Sequence, residues 1–195
     1  MAFLSRLVPA IDHCSRKWIV AQVLIVMILL PASHVEVFGQ GGPPPEYQVK
    51  AVFLFNLAQF VQWPAKAFPD PGAPLVIGIL GDDPFGGYLD ETLRGEKVNN
   101  RPLVLQRFRR VAEIRGCHVL FVSRSESDKL EQIFGALHGR GILTVGDSDD
   151  FISRGGMIRL VTEKGKIRIR VNMEAVKAAN LAISSKLLRL AQPES

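Results

Sequence analysis

The chain has 195 residues, of which 47% are hydrophobic and 22% are charged, a composition typical of a globular protein with one domain or with one domain behind a targeting segment. Its formal net charge is +5, and the basic residues are scattered among acidic ones. A nucleic-acid-binding protein would instead gather them on one stripe with interleaved aromatic residues, so nucleic acid is excluded as a partner.

The N-terminal 39 residues are predicted to be a secretory signal peptide. Basic residues precede the uncharged run Trp18–Leu30, which is shorter than the roughly 20 residues of a membrane-spanning helix. Cleavage is favoured after Gly39, and Pro31–Ser33 is a rival site. The alternative is an uncleaved signal anchor. Either way, the domain that follows is expected to be exported.

After a Pro/Gly leader at residues 40–45, a single α/β domain is predicted over residues 46–191. Glu46–Trp63 is predicted to be a helix that ends before Pro64, because proline disfavours helical conformation in the residue before it. A short helix is predicted in "DDPFGGYLDETLRG" and another in "SESDKLEQIFGALHG". The predicted strands between the helices are "LVIGILG", "RPLVLQRF", "CHVLFVS" and "GILTVGD".

The C-terminal third is predicted to form a β-hairpin followed by two helices. "GGMIRLVTEKGKIRIRVNM" alternates around a turn at Glu163–Lys166, where Gly165 is the permissive residue. In "EAVKAANLAISSKLLRLA", Asn180 can end one helix in a left-handed conformation, and Ser184 or Ser185 can cap the next. The expected fold class is α/β: a mainly parallel sheet with helices on both faces, an antiparallel C-terminal hairpin and a helical C-terminus.

The first helix raises a question about two polar residues. At 100° per residue, Asn56 falls on the apolar face between Val49 and Val52, and Lys50 falls between two apolar side chains of the same face. A buried amide or ammonium without a partner is costly, so each must be paired, lie at a rim, or face a ligand or a partner protein. Glu46 is one turn before Lys50 and can pair with it. The predicted apolar face is Val49, Val52, Phe53, Leu57, Phe60, Val61 and Trp63.

Acidic residues follow two of the predicted strands. Asp82 and Asp83 follow the first, and Asp147 follows the fourth. In a parallel sheet both loops can lie at the same edge, where α/β folds bind ligands, and would there form a site for a cation or an amine. The alternative is that the aspartates serve turn formation and helix capping.

A row of polar side chains alternates with apolar ones along "KIRIRVN". Arg168, Arg170 and Asn172 face one way, and a row of arginines on a rigid strand suits a carboxylate or a phosphate. The alternative is a solvated sheet face or a charged edge strand. A small-molecule receptor that uses these arginines and the acidic loops is therefore one hypothesis.

No set of catalytic residues is visible after the signal peptide. The chain after the signal peptide contains His118 and His138 but no nucleophile elbow, phosphate-binding loop, zinc motif or cysteine cluster. Its lone cysteine, Cys117, is predicted to be a buried thiol, with an intermolecular bridge as the alternative. We expect a protein that is not an enzyme and that uses neither cofactor nor metal.

The sequence resembles the YfiR family of bacterial periplasmic regulators (YfiR/HmsC-like) over about residues 46–191. The resemblance is carried by "YQVKAVFLFNLAQFVQWP", "LVIGILGDDPFG", "CHVLFVS", "GILTVGD" and "GGMIRLVTEKGKIRIRVNMEAVKAANLAISSKLLRLA". It implies an exported, non-enzymatic α/β protein, often a homodimer, that restrains an inner-membrane diguanylate cyclase by binding its periplasmic part. Cyclic di-GMP and biofilm formation would fall as a result.

The same resemblance implies further partners. An outer-membrane lipoprotein can relieve the restraint, and related domains are input modules of sensor kinases, so a small-molecule-sensing module for another membrane signalling protein is the alternative function. The surfaces expected to meet a partner are the first helix with Lys50 and Asn56 and the C-terminal helix with Lys186, Leu187 and Arg189. Some members carry disulfides, but this chain has no cysteine pair after its signal segment, which argues against redox control within one chain.

Overall fold

The structure is a computed structural model and describes residues 45–192. The predicted signal peptide lies outside these residues. The helices are α1 (Pro45–Phe60), α2 (Gly87–Leu93), α3 (Leu130–Leu137), α4 (Met173–Ala178) and α5 (Ser185–Leu190). The strands are β1 (Val61–Gln62), β2 (Leu75–Leu80), β3 (Lys97–Val98), β4 (Arg101–Phe108), β5 (Val119–Val122), β6 (Leu143–Gly146), β7 (Ile158–Glu163), β8 (Lys166–Val171), β9 (Ala182–Ile183) and β10 (Ala191–Gln192). No helix among the described residues has both the length and the hydropathy needed to cross a bilayer.

An eight-stranded sheet with the order β10-β8-β7-β6-β5-β2-β4-β3 organises the fold. The pairs from β4 through β2, β5 and β6 to β7 are parallel, and β7 and β8 form the antiparallel hairpin. Every residue of β2, β5 and β6 is buried, as in a parallel sheet that is covered on both faces. The predicted α/β fold class is confirmed.

Two hydrophobic cores lie on opposite faces of this sheet. The larger core packs the sheet against α1, α2, α4 and α5, with Leu54, Leu89, Val176 and Leu187 as helical members. The smaller core packs it against α3 and around the fully buried Phe151. Successive side chains of a strand point to opposite faces of the sheet. Along β2, Ile77 and Ile79 therefore face the larger core and Leu80 faces the smaller one.

The C-terminal third folds as the local signals indicate. Lys164 and Gly165 both have positive φ at the hairpin turn, and Asn180 has φ 57° between α4 and β9. The Ser184 hydroxyl caps α5 by accepting a hydrogen bond from the Leu187 backbone N–H at 3.4 Å. The prediction of two separate helices is confirmed.

The first helix ends earlier than predicted, at Phe60 rather than Trp63. Val61 pairs with Ile183 of β9, and the Ser184 backbone N–H donates to the Phe60 carbonyl at 2.9 Å. The two-stranded sheet of β1 and β9 therefore takes the residues that would have formed the last helical turn. This pairing joins the end of α1 to the segment between α4 and α5.

The helix is also rotated relative to the predicted apolar face. Its buried stripe is Lys50, Ala51, Leu54, Leu57 and Ala58. Val49 and Val52, which were predicted to be in the core, are 46% and 41% exposed. The prediction was wrong for this half of the face because apolar side chains lie on two sides of the helix, and only one side can meet the sheet. The other side faces outward.

Candidate functional site

Lys50 is fully buried where α1 crosses the carboxyl edge of the sheet. Its Nζ lies 2.5 Å from Oδ2 of Asp147, which directly follows β6 and is also buried. The Lys50 ammonium also pairs with Glu46 one turn earlier, which confirms the predicted pairing of these two residues. Two of the predicted site residues are thus brought together by the fold.

Tyr47 and Arg124 complete what we call the Lys50–Asp147 cluster (Glu46, Tyr47, Lys50, Arg124 and Asp147). The Tyr47 hydroxyl donates to Asp147 Oδ2 at 2.9 Å, and its ring centroid lies 4.6 Å from Lys50 Nζ. Arg124, which follows β5, places Nε 3.2 Å from Asp147 Oδ1 and donates from Nη2 to the Asp147 carbonyl at 3.0 Å. Two cations face two carboxylates, so the cluster is balanced in charge.

Hydrogen bonding and burial shift the pKa values of two members of the cluster. The hydrogen bond from Lys50, together with one from the Thr162 hydroxyl at 2.7 Å, lowers the pKa of Glu46. Burial, reinforced by the negative charge of Asp147, raises the pKa of Tyr47. Glu46 therefore stays ionised and Tyr47 stays neutral at physiological pH, which preserves the hydrogen bonds described above.

The predicted site at which two acidic loops meet does not form. Asp83 is engaged elsewhere, because its Oδ1 accepts from the Phe85 backbone N–H at 2.7 Å and its Oδ2 lies 2.7 Å from Arg107 Nε. The Asp82 side chain is exposed, and β5 separates β2 from β6. The amine that Asp147 was predicted to bind is supplied by the chain itself, as Lys50. Within residues 45–192 no group of acidic, histidine or cysteine side chains is placed to hold a metal ion.

In the predicted row of arginines on β8, Arg170 contacts one of the chain's own carboxylates. Arg170 Nη2 donates to Glu163 Oε1 at 2.9 Å, and Arg159, which is opposite Arg170 in the hairpin, pairs with Asp149. Arg168 is exposed. Each of these carboxylates meets one Nη2 atom, and the Nε atoms of Arg159 and Arg170 are buried without a hydrogen-bond partner among the described residues. An anion site at these arginines therefore stays a prediction beside the alternative of a charged sheet face.

Three further predicted site residues have separate positions. Asn172 is the N-cap of α4 and accepts from the Ala175 backbone N–H through Oδ1 at 3.0 Å. Leu187 is in the larger core, so its side chain does not belong to an exposed surface. Lys186 and Arg189 do face outward on α5. The neighbouring Leu188 and Leu190, which the sequence reasoning missed, are exposed apolar residues.

Asn56 lies among apolar residues on the side of α1 next to its buried stripe, where Phe53 and Phe60 also pack against the larger core. We call this surface the outer stripe of α1 (Val49, Val52, Phe53, Asn56 and Phe60). Both valines are exposed, and Phe53, Asn56 and Phe60 are half-buried. Contiguous exposed apolar side chains with a polar group among them are typical of a surface that meets another protein. Helix α5 contacts α1 and adds its own exposed leucines.

Cys117 and His118 lie just before β5 and are both buried. Cys117 is a free thiol, as predicted, and burial raises its pKa to about 12. His118 Nδ1 accepts from the Val76 backbone N–H at 3.0 Å, and Nε2 lies 3.2 Å from the Ala67 carbonyl. The ring must be neutral to accept at Nδ1, so Nε2 carries the hydrogen and donates it. Burial lowers the pKa of His118.

This buried neutral histidine predicts a loss of stability in mild acid. The unfolded chain protonates His118 near its ordinary pKa of 6.5, whereas the folded chain does so only at lower pH. The free energy of unfolding should therefore be fully present above about pH 6.5 and fall below it, by at most about 1.4 kcal/mol per pH unit. Urea unfolding at about pH 7.5 and about pH 5 measures the fall.

The variant His118→Gln is the control for this pH dependence, because its amide oxygen can still accept from the Val76 N–H but does not titrate. It should lose less stability than the wild type between the two pH values. Glu46 does not interfere, since its pKa is lowered from 4.5 and it titrates below this window. An equal loss in both proteins would contradict the assignment to His118.

Comparison with known proteins assigns the chain to a family. The YfiR/HmsC-like family model matches residues 47–192. No curated protein matches the chain significantly. Among solved structures, a conserved domain protein from Vibrio cholerae O1 biovar El Tor has 13% sequence identity and a TM-score of 0.48; the match covers 77% of this chain and 60% of that one. Because the family match spans nearly all of the described residues, the chain belongs to the YfiR/HmsC-like family.

Proposed function

We propose that this protein is an exported, non-enzymatic regulator that acts in the periplasm by binding another protein. Its target would be the periplasmic part of an inner-membrane diguanylate cyclase, whose restraint lowers cyclic di-GMP and biofilm formation. Membership of the YfiR/HmsC-like family supports this class of function. An outer-membrane lipoprotein that relieves the restraint, and a second copy of the chain, are the further partners of this proposal.

The observation that carries the proposal is the outer stripe of α1. A surface helix normally turns its apolar residues toward the core and its polar residues toward water. Here Val49 and Val52 are exposed while Lys50 is buried and paired. The Lys50–Asp147 cluster holds α1 in the orientation that leaves the valines outside. This arrangement is reasonable if the valines are covered by a partner.

The composition of this surface indicates what the partner must offer. An apolar patch on the partner would match the exposed side chains Val49, Val52, Leu188 and Leu190. Among them, the Asn56 amide can both donate and accept a hydrogen bond. Lys186 and Arg189 on α5 favour acidic residues at its rim.

The proposal of a binding function rather than an enzymatic one is supported by the state of the charged groups. At the carboxyl edge of the sheet, Lys50 and Arg124 both form ion pairs with Asp147. A catalytic acid or base needs access to a substrate proton. The Lys50–Asp147 pair is buried from solvent, so a role in positioning α1 fits it better.

The variant Val52→Asp tests the outer stripe directly. Placing a carboxylate in the apolar centre of an interface should weaken binding to the cyclase segment about 10-fold to 30-fold, the effect of losing a central contact residue. In cells, cyclic di-GMP should rise toward the level of a strain that lacks the gene. Pull-down from membranes, with identification of the captured chain, and measurement of cyclic di-GMP provide the two readings.

A matched control is Gln132→Asp, which introduces the same charge at an exposed position of α3 on the opposite face of the sheet. It should leave capture and cyclic di-GMP unchanged. Capture of a sensor kinase in place of a cyclase would support the alternative function, an input module for another signalling protein. Unchanged cyclic di-GMP after deletion of the gene would contradict the proposed target.

A further inference from the structure

A cavity of about 410 Å³ lies between α3, α4, β6 and the loop that joins β6 to β7. None of its lining residues belongs to the Lys50–Asp147 cluster or to the outer stripe of α1. Its wall is mainly apolar, and its volume is within the range of small-molecule sites, about 300–1,000 Å³. The main apolar lining residues are Phe134, Leu137, Ile142, Met157, Ala175 and Ala178.

Small residues on α3 and α4 leave the space for this cavity. On α3, Gly135 leaves space beside Phe134, and on α4 the alanines at 175 and 178 share one face because they are three residues apart. Larger side chains at these positions would fill the cavity. At the floor, the buried Thr144 hydroxyl accepts from the Met157 backbone N–H at 3.1 Å and retains its own hydrogen for donation.

The electrostatic character of the rim favours a positive group. Glu131 is exposed at the rim and makes no ion pair with any residue of the described part of the chain. The cavity is also lined by His138 and by Arg154, whose guanidinium is already neutralised because its Nε lies 2.6 Å from Asp150 Oδ2. Its Nη1 donates to the Ser127 carbonyl at 3.4 Å, which directs it away from a new partner.

The helix ends near the cavity add no unpaired carbonyl at these positions. The carbonyl of Leu137, the last residue of α3, accepts from the Arg140 backbone N–H at 3.1 Å, and near the end of α4 the carbonyls of Val176 and Lys177 accept from backbone N–H groups that follow the helix. The cavity therefore combines an apolar body with a rim that carries the Glu131 carboxylate.

We propose that this cavity binds a small apolar or aromatic molecule that carries a protonated amine. The apolar part lies against Phe134 and Met157, and the ammonium pairs with Glu131. This site does not depend on the proposed regulatory function. Its lining includes none of the arginines of the β8 row and none of Asp82, Asp83 and Asp147, where the sequence predicted a ligand.

Titration with two small probes of opposite charge tests the site. 2-Phenylethylamine and 3-phenylpropionate share an aromatic ring on a short chain and differ in the charge of the end group. Two-dimensional amide NMR should show the amine binding with a Kd in about the millimolar range, and its shifts should centre on Phe134, Thr144 and Met157. The carboxylate should bind about five-fold more weakly or not at all.

Variants then separate the charge from the cavity. Glu131→Gln should weaken binding of the amine about five-fold, because an exposed ion pair contributes about that factor, and should leave the carboxylate unaffected or slightly improved. Ala178→Phe should abolish binding by filling the cavity. Ala182→Phe adds the same ring at an exposed position of β9 outside the lining and should bind as the wild type does.

Each result decides a part of the proposal. Equal binding of the two probes would overturn the preference for an amine. If neither probe, at about ten times the expected Kd, shifts the amide signals around Phe134, Thr144 and Met157, the site itself is overturned. This measurement uses the wild-type chain, so it does not depend on the folding of a variant.

Discussion

Replacing Lys50 with methionine is expected to lower the free energy of unfolding by about 3–5 kcal/mol, as measured by urea denaturation. Methionine fills a similar volume, so the loss would come from charge rather than from packing. The Asp147 carboxylate, which is fully buried, would lose the ammonium 2.5 Å away. Its remaining partners would be the Tyr47 hydroxyl and Arg124. Loss of the nearest cation from a fully buried carboxylate is among the more destabilising changes known in proteins.

The double variant Lys50→Met, Asp147→Leu distinguishes this explanation from a general loss of packing. Replacing both members of a buried ion pair by apolar residues is often neutral or stabilising, so the double variant should be more stable than Lys50→Met alone. Lys66→Met is the surface control and should change stability by less than about 0.5 kcal/mol, because Lys66 is exposed. A double variant at least as unstable as the single one would contradict the assignment.

The Lys50→Met variant also tests the proposed function. If the ion pair sets the orientation of α1, Lys50→Met should weaken partner binding although Lys50 itself is buried. Asp147→Asn is the matched change on the other member, since it keeps the shape of the side chain and removes the charge. Both variants should then move partner binding in the same direction.

Truncating Phe151 to alanine is expected to lower the free energy of unfolding by about 3–5 kcal/mol, the cost of removing a large buried aromatic side chain. Phe151 is fully buried in the smaller core, and its ring meets that of Phe134 edge-to-face at a centroid distance of 5.3 Å. Its ring also covers Gly146 at the end of β6 and Gly156 so closely that a Cβ atom at either position would overlap it.

This close approach allows a double-mutant cycle. Gly146→Ala in the wild-type background should cost about 1–3 kcal/mol by overpacking against the Phe151 ring. In the Phe151→Ala background the same change should cost much less, because the new methyl group would occupy part of the vacated volume. Additive effects in the cycle would contradict the view that Gly146 is required by the aromatic ring.

Much of the fold follows from local patterns in the sequence. Apolar runs of strand length, the turn at Gly165, the left-handed Asn180 and the Ser184 cap are all where these patterns predict them. Each depends on the conformational preferences of a few adjacent residues, which the sequence displays directly. The pairing of Lys50 with Glu46 is local as well, since one helical turn separates the two residues.

Only the tertiary structure decided how α1 lies on the sheet. Its sequence has apolar residues on two sides, so helical periodicity does not distinguish the side that is buried from the outer stripe. Packing resolved this by burying Lys50 against Asp147, which is 97 residues away, and by exposing Val49 and Val52.

The same distinction applies to the candidate sites. Sequence reasoning selected Lys50 and Asp147 separately, one as a polar residue on an apolar helix face and the other as an acid after a strand, and the parallel sheet brought them together. It did not find Arg124 as a member of the cluster or the cavity between α3 and α4, because both depend on contacts between distant segments. The residue types determined which groups needed a partner. The strand order and the helix orientation determined which partner each group met, because these set the distances between charges.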